Sequence, residues 1–293
     1  MLHALLLDHL QQRLSDFFAV QVSIHHYQPV HGGDINKCYM LETSKGRFFI
    51  KVNASFFGLD MFEKEARGLV QLANAGVVKV PRPLFDGRFN QQIFLAMEYI
   101  EPGTRLPGFW EDFGASIAKL HATTGTSFGL DDKNYIGKMV QSNNPHQQWV
   151  DFYATERILP LASQAKEKGL LEDEHLKAVE TLCSKLKDIF PEEKPALLHG
   201  DLWSGNFITA ENGRAAIFDP AVYFGHREMD IAMSLLFGGF DAVFYESYNH
   251  YYPLYPGWEQ RVPLCQLYPL LVHLLLFGGH YGQNVIEIVQ QYR

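Results

Sequence analysis

A chain of 293 residues, 47% hydrophobic and 20% charged, can bury a sizeable core and exceeds the usual size of one compact unit, which argues against disorder and for two lobes. Its net charge of -8, with no long run of Lys or Arg, argues against a nucleic-acid partner. Cys38, Cys183 and Cys265 form neither a CxxC pair nor an even framework, as expected for a reducing compartment, the cytoplasm, and no structural metal.

The N-terminal stretch is apolar at Leu2, Leu5, Leu6 and Leu10, but acid and His interrupt it. It lacks a basic start and a small-residue cleavage site, so it reads as an amphipathic helix rather than a targeting segment. Residues 21–24, 38–43, 47–52 and 93–100 read as strands, with Ser44-Lys45-Gly46 as a hairpin turn. Between them a helix over 59–73 sets Phe62, Ala66, Leu69 and Ala73 on one stripe, with Gly76 as its stop. The periodicity changes near residue 100, where Glu101-Pro102-Gly103 interrupts a strand. Residues 1–100 are therefore expected to form a small antiparallel-sheet lobe that binds nucleotide, and 101–293 a larger, mainly helical lobe for catalysis and substrate. In the latter, 110–123, 149–168 and 174–190 read as helices, followed by a short β segment over 196–219 and further helices. The apolar run 267–277 contains Pro269 and His273 and is too short to span a bilayer, so it reads as a core helix, with no membrane partner. The fold class is α+β, two-lobed and protein-kinase-like.

The chemistry concentrates in Leu197-Leu198-His199-Gly200-Asp201-Leu202-Trp203-Ser204-Gly205-Asn206 and in Ala216-Ile217-Phe218-Asp219-Pro220-Ala221. An Asp in a loop can accept a hydroxyl proton, while Asn and a second Asp supply oxygen ligands to Mg²⁺ bridging phosphates. Asn206 follows Asp201 at the step of the protein-kinase catalytic loop, although Gly200 replaces the usual Arg. Asp201 is thus the expected base, and Asn206 and Asp219 the expected metal ligands. A single Asp is ordinarily a turn or cap residue; the combination points beyond that.

The first lobe supplies partners for this chemistry. Alternation in Phe48-Phe49-Ile50-Lys51-Val52 points Lys51 away from Phe48, Ile50 and Val52, where it can hold phosphates. Glu65 lies on the stripe of Phe62 and Leu69 and is its natural ion-pair partner, whereas Glu63 lies off the stripe. Gly32 and Gly33, between the first two strands, let backbone N–H groups approach a triphosphate. The backbone of Glu98 and Ile100, in Met97-Glu98-Tyr99-Ile100, would bind adenine, with Met97 behind it. There is no GxSxG, no HExxH and no metal-ligand spacing among the 13 histidines; His25, His26 and His121 read as structural or surface residues.

These motifs resemble the fructosamine/ketosamine kinases, within the wider aminoglycoside phosphotransferase and choline kinase-like group. The resemblance rests on HGDLWSGN, on DPAVYFGHREMDIAMSLLFGGF from Asp219 to Phe240, and on NYIGKMVQSN from Asn134 to Asn143 with a following Trp149. It covers nearly the whole chain. It implies ATP- and Mg²⁺-dependent phosphorylation of the third hydroxyl of a ketosamine, either a small molecule or a glycated protein lysine. The product is an unstable adduct that frees the amine, so the implied role is deglycation. The resemblance also implies that Trp203 packs on the sugar-amine substrate and that Asp230 braces the catalytic-loop backbone from behind. It leaves the roles of Arg227 and Glu228 open. Some members carry Cys in the phosphate loop, where this chain has Asp34. Other expectations that the motifs permit are a kinase of aminoglycosides or choline and a nucleotide-binding pseudokinase scaffold.

Overall fold

The computed structural model describes residues 2–30, 36–54 and 60–292. The chain divides into two compact units, Met1–Pro107 with Ile208–Asp219, and Gly108–Phe207 with Pro220–Arg293.

The first unit is built on a five-stranded antiparallel sheet of β1 (Ile24–Val30), β2 (Lys37–Thr43), β3 (Gly46–Asn53), β4 (Pro83–Phe89) and β5 (Gln92–Glu98), in the order β1-β2-β3-β5-β4. The β2–β3 turn closes because Thr43 Oγ1 accepts from the Lys45 N–H and donates to the Gly46 carbonyl. Helix α1 (Ala4–Phe18) has Leu6, Leu10 and Leu14 on one stripe at one-turn steps. That stripe is fully buried in a cluster with Leu41, Ile50 and Phe94 of the sheet. Helix α2 (Met61–Ala75) buries Phe62, Leu69 and Leu72 and ends at Gly76, whose backbone is left-handed.

Two strands of this sheet depart from the sequence reading, and both are its edges. The strand expected over 21–24 runs instead from Ile24 to Val30, and β4 was not anticipated. No residue of either strand is fully buried, so hydrophobicity does not mark them. Each also carries a proline, which an edge tolerates because it has an unpaired side.

The second unit is helical: α3 (Phe109–His121), α4 (Trp149–Phe152), α5 (Leu159–Glu167), α6 (Asp173–Ile189), α7 (Glu228–Leu236), α8 (Ala242–Tyr251), α9 (Trp258–Phe277) and α10 (Tyr281–Gln291). The helix expected over 149–168 is continuous in path, but a π-helical turn over Tyr153–Ile158 joins α4 to α5. Helix α9 buries Leu264, Leu267, Leu270, Leu271 and Leu274. It begins well before the apolar run that marked it and continues through Pro263 and Pro269, since packing offsets the backbone bonds that proline removes. No helix among the described residues is long and apolar enough to cross a membrane.

Docking of α1 through its leucine stripe predicts that Leu10→Ala costs about 2–5 kcal/mol and lowers the thermal midpoint by at least about 5 °C. A midpoint within a degree of the parent would contradict that packing.

Candidate active site

Lys51 lies on β3, the central strand, opposite Cys38 of β2 and Leu95 of β5. Its side chain is only 4% exposed. The ammonium donates to Glu65 Oε1 on α2 at 2.6 Å and to Asp219 Oδ1. Burial works to lower the Lys51 pKa, but the carboxylates of Asp219 and Glu65 outweigh it and hold the group above its ordinary value. The lysine therefore stays charged at neutral pH. Burial, together with the charge of Asp219, raises Glu65, while Lys51 opposes that shift. Asp219 itself is 40% exposed and takes a left-handed backbone (φ 56°), a conformation that aspartate tolerates better than most residues and that recurs at functional turns.

In the second unit, the loop after the short strand Ala196–Leu198 carries Asp201 and Asn206. The Asn206 amide donates both to the Asp201 carbonyl and to Asp201 Oδ2, each at 2.8 Å. The loop backbone is anchored from behind by Asp230 of α7. Its Oδ2 accepts from the His199 N–H at 2.7 Å and its Oδ1 from the Gly200 N–H at 2.9 Å. Gly200 sits at φ 82°, and a Cβ there would overlap the Ala221 carbonyl, so the loop's turn demands glycine. Gly205 leaves room for the Trp203 indole, which a Cβ would strike. Trp203 is half-exposed and meets Phe237 edge to face, with centroids 5.5 Å apart.

The remaining predicted residues are placed as follows. Met97 is buried on β5, opposite Phe49. Glu98 ends that strand, its N–H donating to the Arg82 carbonyl and its carboxylate accepting from Lys79 at 2.5 Å. Tyr99 and Ile100 lie beyond the strand, half-buried. Gly32, Gly33 and Asp34 lie outside the described residues. Arg227 and Glu228 each form a buried ion pair: Arg227 with Glu193 at 2.8 Å, and Glu228 with Arg261 at 2.5 Å.

His121 is the residue that sequence reasoning undervalued. It is fully buried at the end of α3, with Nε2 at 3.2 Å from Asp230 Oδ2 and Nδ1 at 2.8 Å from the Tyr248 hydroxyl. A carboxylate only accepts, so Nε2 carries a proton, and in the neutral ring Nδ1 accepts from Tyr248. The partners are distant along the chain, so only the fold reveals the pairing.

A small antiparallel-sheet unit with a buried Lys–Glu pair, and a helical unit bearing an Asp–Asn loop, define a kinase-like phosphotransferase with an alcohol acceptor. The chain belongs to the fructosamine kinase family, whose model matches residues 6–293. It is 38% identical to a "Probable ketoamine kinase" of Enterococcus faecium over 269 residues, which is 90% of this chain and 94% of that protein. A "Probable ketoamine kinase" of Lactiplantibacillus plantarum is 37% identical over 92% of this chain and 95% of its own. Among solved structures, a "Putative fructosamine-3-kinase" from Haemophilus somnus 129PT superimposes with a TM-score of 0.87 at 29% identity, covering 97% of this chain and 96% of that one. An aminoglycoside phosphotransferase, crystallised with AMP-PNP and hygromycin B, shares the fold at a TM-score of 0.63 and 18% identity, covering 96% and 97%.

Cys38 adjoins this lysine on β2. Burial raises its thiol to about 11, with Lys51 pulling it down and Asp219 and Glu65 pushing it up. A raised thiol pKa means less thiolate at neutral pH. Iodoacetamide at pH 7.5 should therefore modify Cys38 roughly 100-fold more slowly than a free cysteine, with the rate climbing toward pH 11. Alkylation as fast as that of a free thiol would contradict this environment.

Proposed function

We propose that the chain transfers the γ-phosphoryl group of ATP to the third hydroxyl of a ketosamine. The observation that carries the reading is the Asp201 carboxylate, held by Asn206 in a loop whose backbone Asp230 fixes. A carboxylate so oriented accepts the proton of the attacking hydroxyl. As the sugar oxygen bonds to phosphorus, the bond from phosphorus to the leaving oxygen breaks and ADP departs. Lys51, kept cationic by its two carboxylates, serves the phosphates. On the sequence alone we assign the Gly32-Gly33 backbone to them, and the stretch from Met97 to Ile100 to adenine. Trp203 offers the sugar an apolar face.

The residues fit a magnesium ion. Asp219 is half-exposed, and with both Lys51 carboxylates ionised the cluster carries one net negative charge, which favours a cation. The two hydrogen bonds that the Asn206 amide donates to Asp201 leave its carbonyl oxygen as the atom suited to ligate. Few protein ligands, all oxygen, suit Mg²⁺, which keeps waters and phosphate oxygens. When bound, the ion neutralises charge on the phosphates. We assign Asn206 and Asp219 to it on their spacing from Asp201.

ATP as donor is supported by the AMP-PNP bound to the aminoglycoside phosphotransferase of like fold. The third hydroxyl and the release of the amine, hence deglycation of lysines in small molecules or proteins, are our reading of the resemblance, supported by membership of the fructosamine kinase family. The cytoplasm is the compartment we assign, in keeping with three cysteines free of disulfides.

Incubation with Mg-ATP and a panel of ribulose-lysine, fructose-lysine, choline and an aminoglycoside should add phosphate, by mass spectrometry, to a ketosamine alone. Transfer to none of the ketosamines would overturn the substrate assignment. Asp201→Asn should lower turnover by about 10²–10⁴ while calorimetric ATP binding is kept. Near-normal turnover would remove Asp201 from its role.

A further inference from the structure

The segment Asn134 to Asn143 has no place in the chemistry above, yet its three amide side chains are buried together. Asn134 and Gln141 face each other across a two-stranded hairpin, Asn134–Ile136 with Met139–Gln141. Asn134, Gln141 and Asn143 are 7%, 2% and 3% exposed.

Two of these amides, Asn134 and Gln141, each donate to backbone that follows Asp219. Asn134 Nδ2 donates to the Val222 carbonyl at 2.7 Å, and Gln141 Nε2 to the Ala221 carbonyl at 3.1 Å. Three contacts then fix the two amides. Asn134 Oδ1 accepts from Gln141 and from Asn143, each at 2.8 Å, and Gln141 Oε1 accepts from the Tyr268 hydroxyl at 2.7 Å. The acceptor of Asn143 is held in turn by Arg157, whose Nη2 donates to Asn143 Oδ1 at 2.7 Å.

Arg157 is fully buried on the π-helical turn. Its guanidinium also donates to the Ser142 carbonyl and lies 4.5 Å and 4.3 Å from the ring centroids of Phe152 and Tyr223. A π turn shifts a helix's side chains out of regular register and recurs at functional sites. Here it carries the arginine that terminates the network.

Ala221 is where the network meets the catalytic loop. Its N–H donates to the His199 carbonyl at 2.9 Å, while its own carbonyl takes Gln141. One residue is thus tied both to the loop that leads into Asp201 and to the buried amides.

We propose that Asn134, Gln141 and Arg157 are positioning residues for phosphoryl transfer, an amide clamp that fixes the chain leaving Asp219 against the loop entering Asp201. This rests on the reaction proposed above. All three side chains are buried, so we assign them no contact with substrate. Loss of the clamp changes how the metal-binding carboxylate is presented and leaves the acceptor site as it was, so its signature is a fall in turnover and a weaker response to Mg²⁺.

The test uses Gln141→Met, which keeps the length and removes both donors, and Gln141→Glu, which keeps an acceptor for Tyr268 and removes the same donors. Each is followed by steady-state kinetics on a ketosamine and by calorimetric ADP binding as a function of Mg²⁺ concentration. The expected result is a kcat at least tenfold lower, a ketosamine KM within twofold of the parent, and a half-saturating Mg²⁺ concentration for ADP binding raised threefold or more. A kcat and a Mg²⁺ requirement both within twofold of the parent, whatever the thermal midpoint, would overturn the proposal and leave these residues a structural role. If the parent phosphorylates no ketosamine, the substrate reading fails by itself. The Mg²⁺ dependence of ADP binding then decides the clamp alone: a threefold shift supports it and an unchanged dependence overturns it.

Discussion

A lysine ammonium in the interior of a sheet is costly unless its charge is met, and here two carboxylates meet it. Lys51 takes Glu65 from a helix and Asp219 from the end of the segment Ile208–Asp219, which belongs to the same compact unit as the sheet. The constraint acts in both directions. The strand must be central and the helix must turn its Glu inward for the lysine to be tolerated. Once it is tolerated, it remains charged where an ordinary buried lysine would lose its proton.

The second unit solves a different problem, how to hold a flexible loop in one conformation. Backbone N–H groups at His199 and Gly200 have a carboxylate acceptor in Asp230, and His121 and Tyr248 orient that carboxylate. Removing the acceptor would orphan two donors in a buried setting, at about 1–3 kcal/mol each. On the other side of the loop, the Ala221 N–H satisfies the His199 carbonyl. Asp201 thus projects from backbone whose neighbouring polar groups are already committed, which is what preorganisation of the base we propose requires.

Local pattern made much of this legible. The step from Asp201 to Asn206 is a loop spacing, and the two residues are hydrogen-bonded as that spacing invites. Glu65 shares a helical stripe with Phe62 and Leu69, so its inward direction follows from helix geometry, as does its contact with Lys51. The edge strands β1 and β4 were obscure because half-exposed strands lack the alternation that burial imposes. His121, Arg227 and Arg157 were obscure for another reason. Each finds its meaning in a partner far along the chain, and a buried polar residue looks like a surface one until the fold supplies that partner.

We propose that the buried ammonium of Lys51 works on phosphate and does more than neutralise two acids. Steady-state kinetics of Lys51→Met with a ketosamine acceptor test it most directly, because methionine keeps the length and apolar stem of lysine and removes the charge. A phosphate role for the ammonium predicts a kcat/KM for ATP lower by about a hundredfold or more in a protein that still unfolds cooperatively. A folded Lys51→Met protein with the kcat/KM of its parent would contradict it.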